Sequence, residues 1–189
     1  GIGAPPCEPD GQSLWIEPGD GTVLCRSIRP APRGRVHLRA HFYDDGEQDS
    51  CQWVGRQSAA GIAVIGLLAR ASDGEQSYGY AQGGLPGLGS LSNGAWNQTF
   101  VPRCVGWHLF ELVWEGQRLH IIIDSEPIAT EPSIGASPSD EVCLYSSGGS
   151  GYGIWAGVEL FCTPAGQSTW ALGVQVLAGG SAPPWEWLP

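Results

Sequence analysis

The side chains best placed to do chemistry lie on one candidate hairpin, residues 107–124. Glu111, Glu115, His120 and Asp124 share one face of it. Glu111 and Glu115 are about 13 Å apart along an extended strand, at roughly 3.3 Å per residue. Carboxylate pairs that cleave glycosidic bonds stand roughly 5–5.5 Å or 6.5–9.5 Å apart, so this pair is too wide. Glu111, His120 and Asp124 can still meet on the open face, where such a trio would do acid–base work. The plainer reading is a solvated sheet face with cross-strand pairs. His37 and His41 share another strand face, again about 13 Å apart. They cannot both ligate one zinc, which holds nitrogen at about 2 Å. Asp44, Asp45, Glu47 and Asp49 set hard oxygens on one short loop, a calcium candidate off the EF-hand pattern, and a solvated acidic turn is the plainer account. No other cofactor is expected. Nucleophile-elbow, P-loop and dinucleotide fingerprints are missing from the sequence.

Nine tryptophans are too many for the core alone. Flat rings on a β surface stack on sugars or anchor protein interfaces. Trp53 and Trp96 lie beside loops and are the expected exposed rings; Trp114 is the expected core ring. Residues 181–189 (SAPPWEWLP) add Trp185, Trp187 and Leu188. Chain ends fray unless tied down. These three are expected to dock the tail onto the domain's own surface or a neighbouring subunit.

The elements that position these groups read as strands. Along residues 35–43, Val36, Leu38, Ala40 and Phe42 face one way, and His37, Arg39, His41 and Tyr43 the other, a half-buried strand. Residues 107–114 and 119–124 form a hairpin closed by Gly116-Gln117, a two-residue type II′ loop. That register sets Glu115 against Arg118, Val113 against His120, Glu111 against Ile122 and Leu109 against Asp124. His108, Phe110, Leu112, Trp114, Leu119, Ile121 and Ile123 then face the core, and the other face is partly solvated. Residues 60–69 are apolar and β-branched, a buried strand or a short helix. Further strands are expected at 13–16, 21–28, 75–81, 141–145, 153–162 and 169–177. The count is roughly ten to thirteen strands.

Composition agrees. In 189 residues Gly is 29, Pro is 15 and charged residues are 15%. Short apolar runs broken by Gly and Pro argue for all-β, a two-sheet antiparallel β-sandwich. One domain spans 1–189, with arms at 1–12 and 179–189. The net charge is −10 and every basic residue is Arg. That balance argues against nucleic acid as a partner, because phosphates need a basic patch. The longest apolar run falls short of the roughly 20 residues that insertion in a membrane needs. Cys7, Cys25, Cys51, Cys104, Cys143 and Cys162 are even in number, widely spaced and without a C-x-x-C pair. Three disulfides in a secreted, periplasmic or cell-surface location are expected, with free buried thiols as the alternative; six cysteines leave 15 pairings open, Cys51–Cys104 and Cys143–Cys162 being two candidates among them. Methionine is absent even at position 1, as in a processed chain. Asn97-Gln98-Thr99 is a glycosylation sequon.

The segment Arg103-Cys104-Val105-Gly106-Trp107-His108-Leu109-Phe110-Glu111, then Gly116, then residues 120–128 (HIIIDSEPI), resembles the Gly-Trp-His hairpin of concanavalin A-like jelly rolls, in the laminin-G and pentraxin-like branch. Ser125 departs from the family's usual Gly; Pro127 still marks a turn. The resemblance implies a two-sheet jelly roll, secretion, and glycan or protein binding, sometimes with calcium. Glycosidases of that superfamily carry a Glu-x-Asp-x-Glu run, which this sequence lacks. The leading expectation is a non-catalytic structural or accessory subunit that binds other protein subunits. A lectin-like module for surface glycans is the alternative, and a glycan-active hydrolase or lyase comes third.

Overall fold

The computed structural model describes residues 13–16, 22–27, 34–46, 51–58, 61–67, 77–83, 96–133, 141–147 and 153–164. Among them are twelve strands and no helix: β1 (Ser13–Ile16), β2 (Thr22–Ser27), β3 (Gly34–Asp44), β4 (Cys51–Ser58), β5 (Gly61–Leu67), β6 (Tyr78–Gly83), β7 (Trp96–Gln98), β8 (Gly106–Glu115), β9 (Arg118–Ile123), β10 (Glu126–Pro132), β11 (Glu141–Ser147) and β12 (Gly153–Pro164). They form two six-stranded sheets, in the orders β1-β12-β3-β8-β9-β10 and β2-β11-β4-β5-β6-β7. Every pairing between neighbours is antiparallel.

The alternation in the sequence becomes the sandwich. Val36, Leu38, Ala40 and Phe42 of β3 meet Phe110, Leu112 and Trp114 of β8, Leu119, Ile121 and Ile123 of β9, and Trp155, Val158 and Leu160 of β12. The second sheet answers with Val54, Ala63, Ile65, Leu67, Tyr78, Val142 and Leu144. Phe42 lies 5.6 Å from the Phe110 ring and 4.9 Å from the Trp155 ring. Each large apolar side chain withdrawn from water contributes about 1.5–3 kcal/mol, which is why the period-two pattern decides the architecture.

The hairpin of β8 and β9 has the expected register, Glu115 to Arg118, Val113 to His120 and Glu111 to Ile122. Gly116 sits at φ 60 while Gln117 keeps a negative φ, as a type II′ loop requires. Leu109 and Asp124 meet as well: the Asp124 amide donates to the Leu109 carbonyl at 2.8 Å. The next two-residue turn has both members at positive φ, Asp124 at 51 and Ser125 at 69. That is the type I′ geometry for which Gly is preferred in the second place, so the departure at Ser125 leaves the turn in position.

The buried strand read within 60–69 is β5, Gly61–Leu67, buried on both faces. Several other expectations change. Val113, placed on the solvated side, is only 2% exposed. Trp53, expected to be exposed, is 0% exposed and stacks on Tyr145 at 5.0 Å. It belongs to a second cluster on the outward side of the second sheet, with Ile62, Val64, Ala81 and Cys143. The Trp96 indole packs over Gly79, where any Cβ would collide with it. The sequence reading lacked β4, β7 and β10. β4 (CQWVGRQS) has no polar–apolar alternation because it too is buried on both faces. β10 contains Pro127 and Pro132, and proline is confined to edge strands such as this one.

One disulfide joins Cys25 to Cys143, directly opposite each other on β2 and β11. The expected partner of Cys143, Cys162, sits on β12 in the other sheet, while Cys143 faces outward from the second. Cys104 is an exposed thiol, so the Cys51–Cys104 bridge is not formed. Cys7, the side chain of Cys162, the expected strand at 169–177 and both arms lie outside the described residues.

Candidate ligand-binding face

The outward side of the first sheet gathers several of the polar groups singled out above, among them His37, His41 and Glu111. β3 presents His37, Arg39, His41 and Tyr43, all half-buried. The register sets Tyr43 opposite Trp107, His41 opposite Leu109, Arg39 opposite Glu111 and His37 opposite Val113. On the other flank Glu159 lies opposite Arg39 and Phe161 opposite His37. Arg39 thus has a carboxylate-bearing strand on each side. Its Nε is 3.5 Å from Glu159 Oε2. His37 Nε2 meets Glu111 Oε2 at 2.7 Å, and the His37 ring packs 5.7 Å from Phe161. At the far end the Tyr43 and Trp107 rings meet edge-on, 5.3 Å apart. The row runs about 20 Å along β3, at roughly 3.3 Å per residue.

The Glu111 carboxyl titrates below its ordinary range. The His37 hydrogen bond is the main cause; burial works against it, and the charges of His37, Arg39 and His41 reinforce it. This carboxyl is held as an anion.

A second polar cluster lies at one end of the sandwich. Asp44, the last residue of β3, is 0% exposed. Arg103 grips it with two bonds, Nε to Oδ2 at 2.6 Å and Nη2 to Oδ1 at 2.7 Å. The Tyr78 hydroxyl donates to Oδ2 at 2.7 Å and the Gly46 amide to Oδ1 at 2.7 Å. Burial and the Asp44 hydrogen bond push the Tyr78 phenol far above its ordinary value. Beside it, His108 Nδ1 meets Asp124 Oδ2 at 2.7 Å, and His108 Nε2 meets the Cys104 carbonyl at 2.8 Å. The Leu109 amide donates to the other Asp124 oxygen at 2.8 Å.

The acid–base trio weighed above does not assemble. Glu111 is taken by His37, His120 pairs with Thr130 at 3.0 Å, and Asp124 turns to His108. The physical reason is reach across the ladder: each finds a nearer partner on an adjacent strand or turn. Asp44 is no solvated turn residue, because both its oxygens are already bonded; Asp45 follows it, and Glu47 and Asp49 lie outside the described residues. Trp96 is partly buried on β7. Trp185, Trp187 and Leu188 also lie outside the described residues. Among the described residues, Cys25, Glu141 and Cys143 are close enough to suggest a metal site, but the two sulfurs are bonded to each other and offer no thiolate. The sequence reading missed Arg103 and Glu159, because their partners are distant in the chain and only the sheet order brings them together.

No protein-family model matches the chain, and no curated protein does. Solved structures do. The carbohydrate recognition domain of Emp46p, in its potassium-bound form, superposes with a TM-score of 0.56 at 9% identity, over 77% of this chain and 80% of that one. The fold is a concanavalin A-like jelly roll. Another similar structure comes from the endo-acting O-glycanases that prominent members of the human gut microbiota express to initiate mucin breakdown. It matches with a TM-score of 0.52 at 7% identity, over 76% of this chain and 75% of that one. A galectin of Caenorhabditis elegans, LEC-6, is a looser likeness, with a TM-score of 0.45 at 10% identity over 76% and 93% of the two chains.

Proposed function

We propose that this chain is a carbohydrate-binding, lectin-like module, with its ligand lying along the outward row of the first sheet. The observation that carries the reading is the coupling on one half-buried face of the Tyr43–Trp107 aromatic pair with the His37–Glu111 and Arg39–Glu159 pairs. A sugar offers both an apolar ring face and a fringe of hydroxyls. Rings stack on the first, and ordered charged groups hydrogen-bond to the second. The likeness to a carbohydrate recognition domain supports the same reading. Hydrolysis is the weaker account, since a glycosidase needs one carboxyl with a raised pKa and Glu111 is held the other way. The assembly-subunit reading rested on chain ends outside the described residues and has no observation behind it among those described. The Cys25–Cys143 disulfide supports an extracytoplasmic location.

The test is a glycan array followed by calorimetric titration of the best hit. Trp107→Ala and Arg39→Ala are expected to weaken binding at least about tenfold, the equivalent of roughly 1.4 kcal/mol, with circular dichroism unchanged. Binding that survives both substitutions, or no glycan bound by the native chain, overturns the proposal.

A further inference from the structure

The outward row of the first sheet differs in charge from the rest of the chain. The whole chain carries −10, with Lys and Arg numbering 9 together. On β3, Arg35, His37, Arg39 and His41 take alternate positions along one half-buried face, each about 6.6 Å from the next. β9 adds His120 to that face, since His37 lies opposite Val113 and Val113 opposite His120. Three of the chain's 4 histidines therefore stand here. The flanking strands set two carboxylates beside the row, Glu111 on β8 and Glu159 on β12. Arg118 and Glu115, opposite each other at the hairpin end, offset one another. Along the row itself, five basic side chains meet two acidic ones among the described residues.

Those two carboxylates do not answer the whole row. Glu111 is one anion acted on by His37, Arg39 and His41 together, and it accepts its 2.7 Å hydrogen bond from His37. Glu159 Oε2 lies 3.5 Å from Arg39 Nε, yet that nitrogen is buried and makes no hydrogen bond. Buried N–H groups are normally paired, so a donor standing without an acceptor points to something that supplies one. His41 lies between Leu109 of β8 and Ala156 of β12, neither of which brings a charge. An anion placed over Arg39 and His41 meets both conditions. Arginine binds oxyanions through a fork of N–H donors, and such charged hydrogen bonds are about twice as strong as neutral ones.

We propose that this face selects acidic sugars: a glycan bearing a carboxylate or sulfate, with a ring against Tyr43 and Trp107 and its anionic group over His41 and Arg39. The proposal rests on the reading of this face as a glycan site and adds the class of glycan. Tyr43 and His41 are two residues apart on β3, about 6.6 Å, and the Tyr43 and Trp107 rings meet at 5.3 Å. A sugar ring seated on that pair thus has its substituents beside the first basic group of the row. A hydroxyl could also accept from Arg39, but it would leave the excess of basic side chains unbalanced. On a half-buried face that imbalance counts for more than in open water, because the effective dielectric is lower.

The experiment puts the full chain on an array of neutral, uronate-bearing and sulfated oligosaccharides. Acidic glycans are expected to lead the hits, and the arm that leads names the anion. The best acidic hit is then titrated calorimetrically beside its uncharged counterpart, methyl-esterified or desulfated. The counterpart should bind at least about tenfold more weakly. Affinity for the acidic hit should fall as sodium chloride rises from roughly 0.1 to 1 M, where the screening length shrinks from about 10 to 3 Å. Glu159→Gln removes a competing anion beside Arg39 and should tighten the acidic hit about threefold, a gain that no folding defect produces. Equal affinity for the hit and its uncharged counterpart overturns the proposal, and so does Glu159→Gln without a gain. Polyglutamate bound as tightly as the acidic hit overturns it too, since charge alone would then suffice. An array with neutral hits only overturns the acidic preference and leaves the glycan-module reading standing; an array without hits overturns both.

Discussion

Replacing Arg103 with Met tests whether the Asp44 cluster is a structural clamp. The Arg103 and Asp44 side chains are 10% and 0% exposed and meet at 2.6 Å. In Arg103→Met, Asp44 keeps the Tyr78 hydroxyl and the Gly46 amide but loses its counter-ion. Removing one partner of a buried pair costs about 3–5 kcal/mol, because a charge is left uncompensated. The slight exposure of Arg103 argues for the lower end, about 3 kcal/mol. For a domain of this size each kcal/mol moves the midpoint by about 2–4 °C, so Tm should fall by roughly 6–12 °C. Urea unfolding followed by tryptophan fluorescence gives the free energy by linear extrapolation. The double variant Asp44→Asn/Arg103→Met should recover part of the loss, since no unpaired charge remains. A surface ion pair would cost only about 0–1 kcal/mol. A loss that small, or a double variant no better than Arg103→Met, refutes the clamp.

Three further outcomes follow from the same structure. Cys25→Ser/Cys143→Ser opens a covalent loop spanning 118 residues; the chain-entropy account puts the loss at up to about 5 kcal/mol, read by the same urea titration. Ser125→Gly relieves a side chain held at φ 69 and should raise stability by about 1 kcal/mol, seen as a higher Tm. The Glu111 carboxyl has a lower pKa folded than unfolded, where its ordinary value is 4.5. Its stabilising contribution is therefore complete above that value and is lost as pH falls through the lower folded one. Glu111→Gln should flatten stability against pH on that acid limb, and an unchanged slope would contradict the His37–Glu111 pair.

What the sequence disclosed was the part of the fold written in period two. β3 and the β8–β9 hairpin alternate because one side faces the core and the other does not, so their faces, the β8–β9 register and the Gly116-Gln117 turn could be read directly, while the turn at Asp124-Ser125 was implied only by the family resemblance. β4 and β5 were harder for the opposite reason: both their sides are buried, and a strand buried on both sides has no alternation to read. The outward row of β3 was visible as His37, Arg39, His41 and Tyr43. Its completion by Glu159 and Phe161 was not, because β12 joins β3 across more than a hundred residues and spacing carries no sign of it. Trp53 misled for a related reason. Its place beside an acidic loop suggested solvent, but its ring packs with Tyr145, Ile62 and Val64, which arrive from other strands.

The prolines of β10 bear on how these molecules behave at high concentration. A foreign strand docking alongside the last strand of the first sheet would look for amide hydrogens, and Pro127 and Pro132 have none to give. That border discourages copies of the chain from joining into a continuous ribbon, the route by which unguarded sheet margins seed aggregates.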